Sequence, residues 1–354
     1  MKPRLKHVAD HAGVSTATVS RVLNDKPGVA EPTRRAVLQA MAQLGYEHGR
    51  LRPSRRTGLV GLIVPELDNP VFPRFAQAIE SRLAREGLTT VLCTSTPSGM
   101  GEPDYLDVLK DQAVTGIVLV SGEHADTSAD HSRYHDLRAE GLPLVLVNGR
   151  DDDLRDIAAV TVDHAEVTRL AVAHLASLGH RRIGLALGPT RYVTAGRLQL
   201  GYLDGLERAN LPVDPTLVTD TIYGIEGGHA AGLTLLPRGA TAVVCASDRM
   251  ALGVIRAVRE VGLDVPSEVS VVGFDDAGPN AYYDPPLTSV QQPFERMADA
   301  VVQLLTAQIA DAEAGTPELT FRPELVARGS TGPAPAAHDD PAVTSTSTDL
   351  APSA

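Results

Sequence analysis

The sequence predicts a small, all-helical domain of the helix-turn-helix type, followed by an α/β body of two doubly wound lobes. Two observations predict this fold class. The first 46 residues show three stripes of apolar residues at helical spacing, whereas from Leu59 onward short β-branched runs alternate with amphipathic stretches. A chain of 354 residues, 43% of them hydrophobic, can bury the cores of two or three domains.

The N-terminal helices are predicted from apolar residues three and four positions apart. The three sets are Leu5, Val8, Ala9 and Ala12; Val19, Val22 and Leu23; and Val37, Met41 and Leu44. Gly13 separates the first two helices, Ser15 is placed to cap the second, and Pro32 suits the first turn of the third. Two helices joined by a three-residue turn, with a third to close the core, are typical of a helix-turn-helix domain.

Residues 49–58, GRLRPSRRTG, are rich in Arg, Gly and Pro and are predicted to form a linker. Beyond it, eight apolar runs have the composition of buried strands: 59–64, 89–93, 116–120, 143–148, 158–162, 181–187, 241–246 and 269–274. Because stretches of helical pattern separate them, they predict parallel sheets covered by helices on both faces. Residues 330–354 lack aromatic residues and periodicity and are predicted to be a disordered tail.

Charge is distributed unevenly along the chain. Residues 1–60 contain 8 Arg and 3 Lys against 4 acidic residues, a net charge of +7, so the remaining 294 residues carry −19 of the total of −12. This asymmetry suggests that the N-terminal domain meets nucleic-acid phosphates while the body does not.

The apolar segments and the two cysteines indicate where in the cell the protein is expected to act. No run is long enough to cross a membrane, and no apolar export segment follows the N-terminal positive charges, so we expect a cytoplasmic protein without a membrane partner. Cys93 and Cys245 lie in apolar runs and are expected to be core thiols.

Residues 5–24, LKHVADHAGVSTATVSRVLN, resemble the head of the lac-repressor (LacI/GalR) family of bacterial transcriptional regulators. The resemblance continues in VAEPTRRAVLQAMAQLGY (29–46), LIVPELDNPVF (62–72), LGHRRIG (178–184), SDRMALG (247–253), and VSVVGFDDA with PPLTSVQQP (269–293), and it covers about residues 4–329. It implies a sequence-specific regulator, expected to be a repressor, that binds a pseudo-palindromic operator in double-stranded DNA as a homodimer. A small-molecule effector would control it.

The resemblance places DNA-contacting residues on the head and the linker. A recognition helix that starts at Thr16 would present small and polar side chains to base edges, and Arg21 can bridge O6 and N7 of a guanine. The residues expected to contact DNA are Leu5, His7, Ser15, Thr16, Ala17, Ser20, Arg21, Asn24, Val29 and Thr33 in the head, and Leu51, Arg55 and Arg56 in the linker. Val8, Ala9, Val19 and Leu23 are interpreted as core.

The linker departs from the family pattern. Relatives have a hinge helix whose leucine, just before an Arg-Thr-Gly sequence, wedges into the minor groove. Here Arg55 takes the place of that leucine, Pro53 interrupts the helix, and the segment is shorter. Either Leu51 is the wedge or arginines read a narrow minor groove, and the sequence leaves both alternatives open.

The body resembles the two lobes of periplasmic binding proteins. With the head at 1–48 and the linker at 49–58, the first lobe would span about 59–160 plus 291–325 and the second about 161–290, within a domain of 59–329. The effector would lie between the lobes at the carboxyl ends of the strands.

The residues that the resemblance places around the effector are Phe72, Ser121, Asn148, Arg197, Tyr223, Ser247 and Asp275. Asp275 can accept two hydroxyl hydrogen bonds, and the aromatic rings can stack on a sugar or a purine, so we expect a sugar-like effector ahead of a purine. Two positions depart from the family. Arg197 stands four residues before Gly201, where relatives have an arginine three residues before, and Ser247 replaces a favoured Asn. These departures leave the identity of the effector open.

Two other classes of protein share this fold class. An enzyme is one, but the sequence contains no GxGxxG, P-loop or GxSxG motif, so neither a catalytic site nor a cofactor is predicted. The pair His131 and His135 lies in a polar stretch that is interpreted as a solvated helix rather than a metal site. A periplasmic solute-binding protein is the other class, and the basic head and missing export segment argue against it.

Overall fold

The computed structural model describes residues 5–23, 29–44, 58–95 and 99–335. The N-terminal domain contains α1 (Leu5–Ala12), α2 (Thr16–Leu23) and α3 (Glu31–Leu44), as the apolar spacing predicts. Its buried core consists of Val8, Ala9, Val19, Val22, Val37, Ala40 and Met41. The helices therefore pack through the stripes that predict them.

The turn between α1 and α2 depends on a glycine and a capping serine. Gly13 has a φ of +65°, in the left-handed region that favours glycine. The Val14 amide donates to the Ala9 carbonyl (3.0 Å), which closes α1. Ser15 Oγ then accepts a hydrogen bond from the Thr18 amide (3.0 Å) and caps the first turn of α2.

Two six-stranded sheets form the body. The strands are β1 (Leu59–Val64), β2 (Thr89–Thr94), β3 (Gly116–Val120), β4 (Leu144–Val147), β5 (Ala158–Val162), β6 (Ile183–Leu187), β7 (Val218–Asp220), β8 (Ala242–Cys245), β9 (Ser270–Asp275), β10 (Thr288–Gln291), β11 (Glu318–Phe321) and β12 (Glu324–Val326). The helices are α4 (Val71–Arg85), α5 (Glu102–Asp111), α6 (Ser132–Ala139), α7 (His164–Ser177), α8 (Val193–Arg208), α9 (Ile225–Leu235), α10 (Asp248–Glu260) and α11 (Phe294–Ala310). All eight strands predicted from apolar runs are present.

The first lobe contains the sheet β11-β5-β4-β3-β1-β2, and the second contains β12-β10-β9-β8-β6-β7. The pairings are parallel except for that of β10 with β12, and in the first sheet Leu62 pairs with Leu92 on one side and Val118 on the other. In each sheet the chain builds outward in both directions from its first strand. This reversal creates a switch point at the carboxyl ends of the central strands, where α/β proteins bind ligands.

The lobe boundaries differ in detail from the expected ones. The chain crosses between the lobes after β5, after β10 and after β11, so β5 still belongs to the first lobe up to Val162 and β12 belongs to the second sheet. Ser330, expected in the disordered tail, is buried, and its Oγ donates to the Val271 carbonyl (2.6 Å). The Ala334 amide donates to the Leu178 carbonyl (2.8 Å). Residues 330–335 therefore belong to the second lobe, because hydrogen bonds hold a segment whose composition alone predicts disorder.

The body buries continuous apolar strands between helices. In the first lobe Phe75 and Ile79 of α4 pack on one face of the sheet, and Leu106 and Leu109 of α5 pack on the other. Cys93 and Cys245 are free and buried, as expected of core thiols. Within the described residues, no helix combines the length and the apolar character that a membrane span requires.

Candidate functional site

The expected DNA-reading residues on α2 share one face of the helix. Thr16, Ala17 and Arg21 are exposed and Ser20 is partly buried, whereas Val19 on the opposite face is buried in the head core. Positions i, i+1, i+4 and i+5 of a helix lie side by side. The face therefore presents one long cationic side chain, Arg21, among small side chains, a combination that fits base edges in a major groove.

The other expected DNA contacts occupy different environments. His7 is exposed on α1, Thr33 is partly buried near the start of α3, and Val29 packs against the head core. Leu5 begins α1 and Ser15 is an exposed cap. Four of the expected contacts lie outside the described residues: Asn24, Leu51, Arg55 and Arg56. The two alternatives for the residue that enters the minor groove therefore both stay open.

A cavity of about 230 Å³, here called the main cavity, lies between the two lobes. Six of the seven expected effector residues line it, contributed by both lobes: Phe72, Ser121, Asn148, Tyr223, Ser247 and Asp275. The remaining lining residues are Pro65, Glu66, Asn69, Val71, Ala125, His164, Tyr192, Thr194, Leu198, Ala246, Phe274 and Gln292. The structure thus brings together residues that lie more than two hundred positions apart in the sequence, such as Phe72 and Asp275.

Three of the lining residues have unusual backbone conformations. Ser121, Asn148 and Asp275 follow or end β3, β4 and β9, and their φ angles are +49°, +57° and +114°. Residues other than glycine rarely adopt positive φ, and such strain concentrates at functional sites. The strand ends therefore turn sharply, and they do so at the residues that line the cavity.

A chain of hydrogen bonds joins the two lobes at the main cavity. Asn148 Nδ2 donates to Gln292 Oε1 (2.9 Å), and Gln292 Nε2 donates to Asp275 Oδ1 (2.7 Å). Gln292 stands between β10 and α11, where the chain crosses from the second lobe to the first. Burial, reinforced by the neighbouring carboxyl group of Asp248, raises the pKa of Asp275 well above its usual value. Asp275 is thus a buried hydrogen-bonding group with little access to counter-charge.

A second polar network lies behind this chain. Asp248 accepts hydrogen bonds from Ser289 Oγ (2.5 Å) and Asn280 Nδ2 (2.8 Å), and burial raises its pKa to about 6. Asp276 forms a two-point ion pair with Arg328 (2.7 and 3.0 Å). These interactions hold the strand end that carries Asp275 in one position.

Ser247 has a structural role at the cavity wall. Its Oγ accepts a hydrogen bond from the Met250 amide (3.2 Å) and caps α10. The hydroxyl hydrogen is left for a ligand or a water molecule, because the cap uses only the oxygen.

Aromatic rings form part of the cavity wall. The rings of Tyr192 and Tyr223 lie 6.0 Å apart at 55°, and the ring of His164 meets that of Phe274 edge to face at 5.8 Å. Burial lowers the pKa of His164 to about 3, so this imidazole is neutral. Flat apolar rings beside hydrogen-bonding groups suit a ligand that has both apolar faces and hydroxyl groups.

Contacts between the lobes close the rim of the main cavity. On one side Arg191 Nε donates to Asp126 Oδ2 (2.7 Å), and the Thr127 amide donates to the Arg191 carbonyl (2.9 Å). On the other side Arg249 Nη1 lies 3.4 Å from Glu66 Oε2. We call the Asp126–Arg191 pair the rim latch. The rim latch therefore joins the two lobes beside Tyr192, which lines the main cavity.

Arg197, the seventh expected effector residue, does not line the cavity. Its Nη1 donates to Glu318 Oε1 (2.9 Å), and Glu318 also pairs with Arg150 (3.2 Å). Its neighbour Leu198 lines the cavity instead, as does Thr194 one turn earlier in α8. The one-residue offset from the family spacing thus turns the arginine toward β11, since adjacent helical positions point about 100° apart.

Sequence reasoning missed Gln292, Tyr192 and His164. Gln292 ends a short β-branched run, TSVQQ, flanked by prolines, which is a weak signal of a strand followed by a strand-end residue. Tyr192 and His164 stand one position before and at the start of helices α8 and α7, each after a buried strand. That placement is the same signal that identifies Asn148 and Asp275.

The polar stretch with His131 and His135 is not wholly solvated as expected. His131 is buried and its Nε2 lies 3.2 Å from the Glu123 carbonyl, while His135 is partly buried beside Asp153 (3.2 Å). Within the described ranges, no set of three His, Cys, Asp or Glu side chains is grouped to hold a metal ion.

Comparisons with known proteins find matches for both domains of the chain. The family described as "Bacterial regulatory proteins, lacI family" matches residues 4–48, and the "Periplasmic binding protein-like domain" matches residues 172–331. The HTH-type transcriptional regulator MalR of Streptomyces coelicolor is 51% identical over 339 residues, which cover 95% of this chain and 98% of that protein.

Two solved structures share the fold over nearly the whole chain. A complex of the transcriptional regulator CelR with cellobiose is 33% identical with a TM-score of 0.70, over 93% of this chain and 100% of that one. The lac repressor dimer bound to operator and the anti-inducer ONPF is 30% identical with a TM-score of 0.67, over 94% and 100%. The chain therefore belongs to the lacI family of bacterial regulatory proteins and is a transcriptional regulator with a helix-turn-helix DNA-binding domain and an effector-binding domain.

Proposed function

We propose that this regulator is a repressor that acts in the cytoplasm, binds a pseudo-palindromic operator as a homodimer, and changes its operator affinity when a sugar or sugar derivative binds between the lobes. The observation that carries the proposal is the main cavity, where Asn148 and Asp275 from different lobes are linked through Gln292. A ligand that replaces these bonds would favour one arrangement of the lobes over another, which is the requirement for control.

The lining of the main cavity favours a neutral, hydroxyl-rich ligand. No Lys or Arg is among its described lining residues. Its carboxyl groups are those of Glu66 and Asp275, and its one imidazole among the described lining residues, that of His164, is neutral. An anionic ligand would meet no compensating charge there. Sugar hydroxyls can donate to carboxyl and amide oxygens, and a pyranose face can stack on Tyr192 or Tyr223. The similarity to the cellobiose complex of CelR supports the same class of ligand.

The homodimer is supported by an exposed apolar edge. β2 is an edge strand of the first sheet, and its Val91 and Leu92 are 36% and 45% exposed. An exposed apolar edge strand invites pairing with another chain, and two heads related by two-fold symmetry match two half-sites. We expect Leu92→Arg to give a monomer with weak operator binding, measured by sedimentation and gel shift. Leu200→Arg, on exposed α8 of the second lobe, is the control that should stay dimeric.

A gel shift on the promoter region of the regulator's own gene tests the function as a whole. The proposal expects sequence-specific binding that changes when a sugar is added, with a purine panel as the comparison. An enzyme or a solute-binding protein on this fold would bind no operator, so absence of a specific shift would overturn the proposal.

A further inference from the structure

A turn of two residues with unusual backbone geometry presents Asp275 to the main cavity. Asp275 ends β9 with a φ of +114°, and Asp276 follows it with a φ of +50°. Both values are positive, and residues other than glycine rarely adopt them. Such a conformation persists only where the surrounding structure holds it in place. The contacts of this turn therefore decide whether the carboxyl group of Asp275 keeps its direction.

The second lobe holds the side chain of Asp276. Its carboxylate forms the two-point ion pair with Arg328. It also accepts hydrogen bonds from Gln291 Nε2 (3.1 Å) and Asn280 Nδ2 (3.0 Å). These three partners belong to the second sheet or to the loops that follow its strands. They fix the turn within its own lobe, and they do so through a carboxylate.

The backbone of the same turn is held from the first lobe. Arg74, on α4, donates from Nη1 to the Asp276 carbonyl (2.8 Å). Hydrogen bonds from a charged donor are shorter and stronger than those between neutral groups. The first residues of α4, Val71 and Phe72, line the main cavity. A helix of the first lobe thus contributes both to the cavity wall and to the support of a cavity residue in the second lobe.

Aromatic packing fixes the direction of the Arg74 guanidinium group. Its Cζ lies 4.5 Å from the centre of the Phe294 ring, within the range of a cation–π contact. Phe294 is buried, and its ring meets that of Phe75 edge to face at 4.7 Å. Phe294 also begins α11, two residues after Gln292. The guanidinium group is therefore held between a ring of the first lobe and a carbonyl of the second, beside a crossing of the chain.

We propose that Arg74 is a positioning residue of the effector site, which holds the Asp275–Asp276 turn from the first lobe and thereby aims the Asp275 carboxyl group at the ligand. This inference rests on the proposed function, because the ligand is the sugar that Asp275 would bind. Arg74 lies outside the described lining of the main cavity, so it acts through Asp275 rather than by contact with the sugar.

Three variants of the full-length protein test this role by isothermal titration calorimetry. Arg74→Met keeps an apolar stem over Phe294 and removes the charged donor, whereas Arg74→Lys retains a cationic donor. Arg85→Met is the matched control, because Arg85 is exposed on the same helix and its Nε donates to the carbonyl of Ser81 in that helix (3.1 Å). The probes are a panel of pentoses and hexoses, followed by each single-deoxy form of the sugar that the wild type binds most tightly.

We expect Arg74→Met to weaken binding of that sugar by roughly tenfold and Arg74→Lys to weaken it less, whereas Arg85→Met should behave as wild type. In the wild type, the deoxy sugar that lacks the hydroxyl bound by Asp275 should bind roughly tenfold more weakly than its parent. In Arg74→Met this difference should shrink to about threefold or less, while the differences for the other deoxy positions stay the same, because only the Asp275 carboxyl group has lost its direction. Arg74→Lys provides the same comparison if Arg74→Met does not fold.

A role in folding alone would lower the affinity for the parent and for every deoxy sugar by one common factor. That uniform loss, or an unchanged affinity in Arg74→Met, would overturn the inference and leave the proposed function intact. A wild-type protein that binds operator but no sugar in the panel would instead contradict the sugar effector of the proposed function and this inference with it.

Discussion

Gln292 donates a hydrogen bond to Asp275 over 2.7 Å, and through its other amide atom it accepts one from Asn148. The two lobes of the regulator are thereby in contact at the residues that face the main cavity. A ligand that binds Asp275 must either displace the Gln292 amide from Asp275 or bind beside it. Either change would alter the contacts of Gln292, which stands where the chain crosses between the lobes. Under the proposed function, Gln292 would be one side chain through which effector binding acts on the arrangement of the lobes.

Asp275→Asn should abolish the effector response while leaving ligand-free operator affinity nearly unchanged. Asn keeps the shape and tolerates the positive φ of 114°, but it replaces one acceptor oxygen with a donor. If the effector is an inducer, the variant represses permanently; if it is a corepressor, the variant never represses. Fluorescence anisotropy on operator DNA, with and without sugar, distinguishes these outcomes.

The matched control is Asp220→Asn, an exposed carboxylate at the end of β7 in the same lobe. It should respond to sugar as the wild type does. A full response from the Asp275 variant would place the ligand elsewhere.

Arg21→Ala should weaken operator binding by roughly 1–3 kcal/mol and relax the preference at one guanine in each half-site. The reason is that Arg21 lies on the exposed face of α2 among small residues. Arg55→Ala in the linker should weaken binding with less change in base preference and a shallower dependence on salt. Binding of both variants to a set of single-base operator variants provides the comparison. Equal loss on every sequence for Arg21→Ala would contradict a base-reading role.

Fully buried strands are the part of the fold that the sequence predicts most sharply. The limits of β1, β3 and β5 match the apolar runs at 59–64, 116–120 and 158–162 residue for residue. Strands covered on both faces need side chains that are apolar throughout, which leaves a continuous signal. β11 and β12 were missed because they are short, partly exposed edge strands that contain Glu318 and Glu324.

The sequence predicts the cavity-lining residues that stand at strand ends better than those on helices. Asn148 and Asp275 directly follow or end apolar runs, so topology alone brings them to the same edge. Arg197 lies instead on a helix, and whether it or Leu198 meets the cavity depends on the rotation of α8. In the observed rotation of α8, Arg197 forms an ion pair with Glu318. Glu318 belongs to β11, a strand that the apolar pattern did not predict. Periodicity in one segment carries no information about such a partner.

Arg191→Ala should weaken effector binding by up to about fivefold, mainly through faster dissociation. The rim latch joins the lobes beside Tyr192, but Arg191 is half exposed, so water and salt screen its charge. The backbone bond from Thr127 to Arg191 remains in the variant and limits the effect. Stopped-flow measurement of sugar release gives the rate.

Arg155→Ala is the control for the latch, since Arg155 forms an exposed ion pair with Asp152 inside the first lobe. Its release rate should match that of the wild type. A latch variant with an unchanged rate and affinity would mean that the Asp126–Arg191 contact does not restrain the lobes.

Glu102→Gln should flatten the dependence of stability on pH. Burial raises the pKa of Glu102 from 4.5 to about 7, so between these values the folded protein holds a proton that the unfolded chain releases. The free energy of unfolding therefore falls as pH rises through this window, by about 3 kcal/mol at most from this group, and levels off above it. Buried His124 and His164 have lowered pKa values and act in the opposite direction, with stability falling as pH drops below their ordinary pKa.

Urea unfolding curves of the variant and the wild type, recorded across this pH range, measure the effect. Because the two histidines are present in both proteins, the difference between the curves isolates the contribution of Glu102. Glu80→Gln, at an exposed position on α4, should follow the wild-type profile, and a Glu102 variant that also follows it would show that the buried carboxyl group has an ordinary pKa.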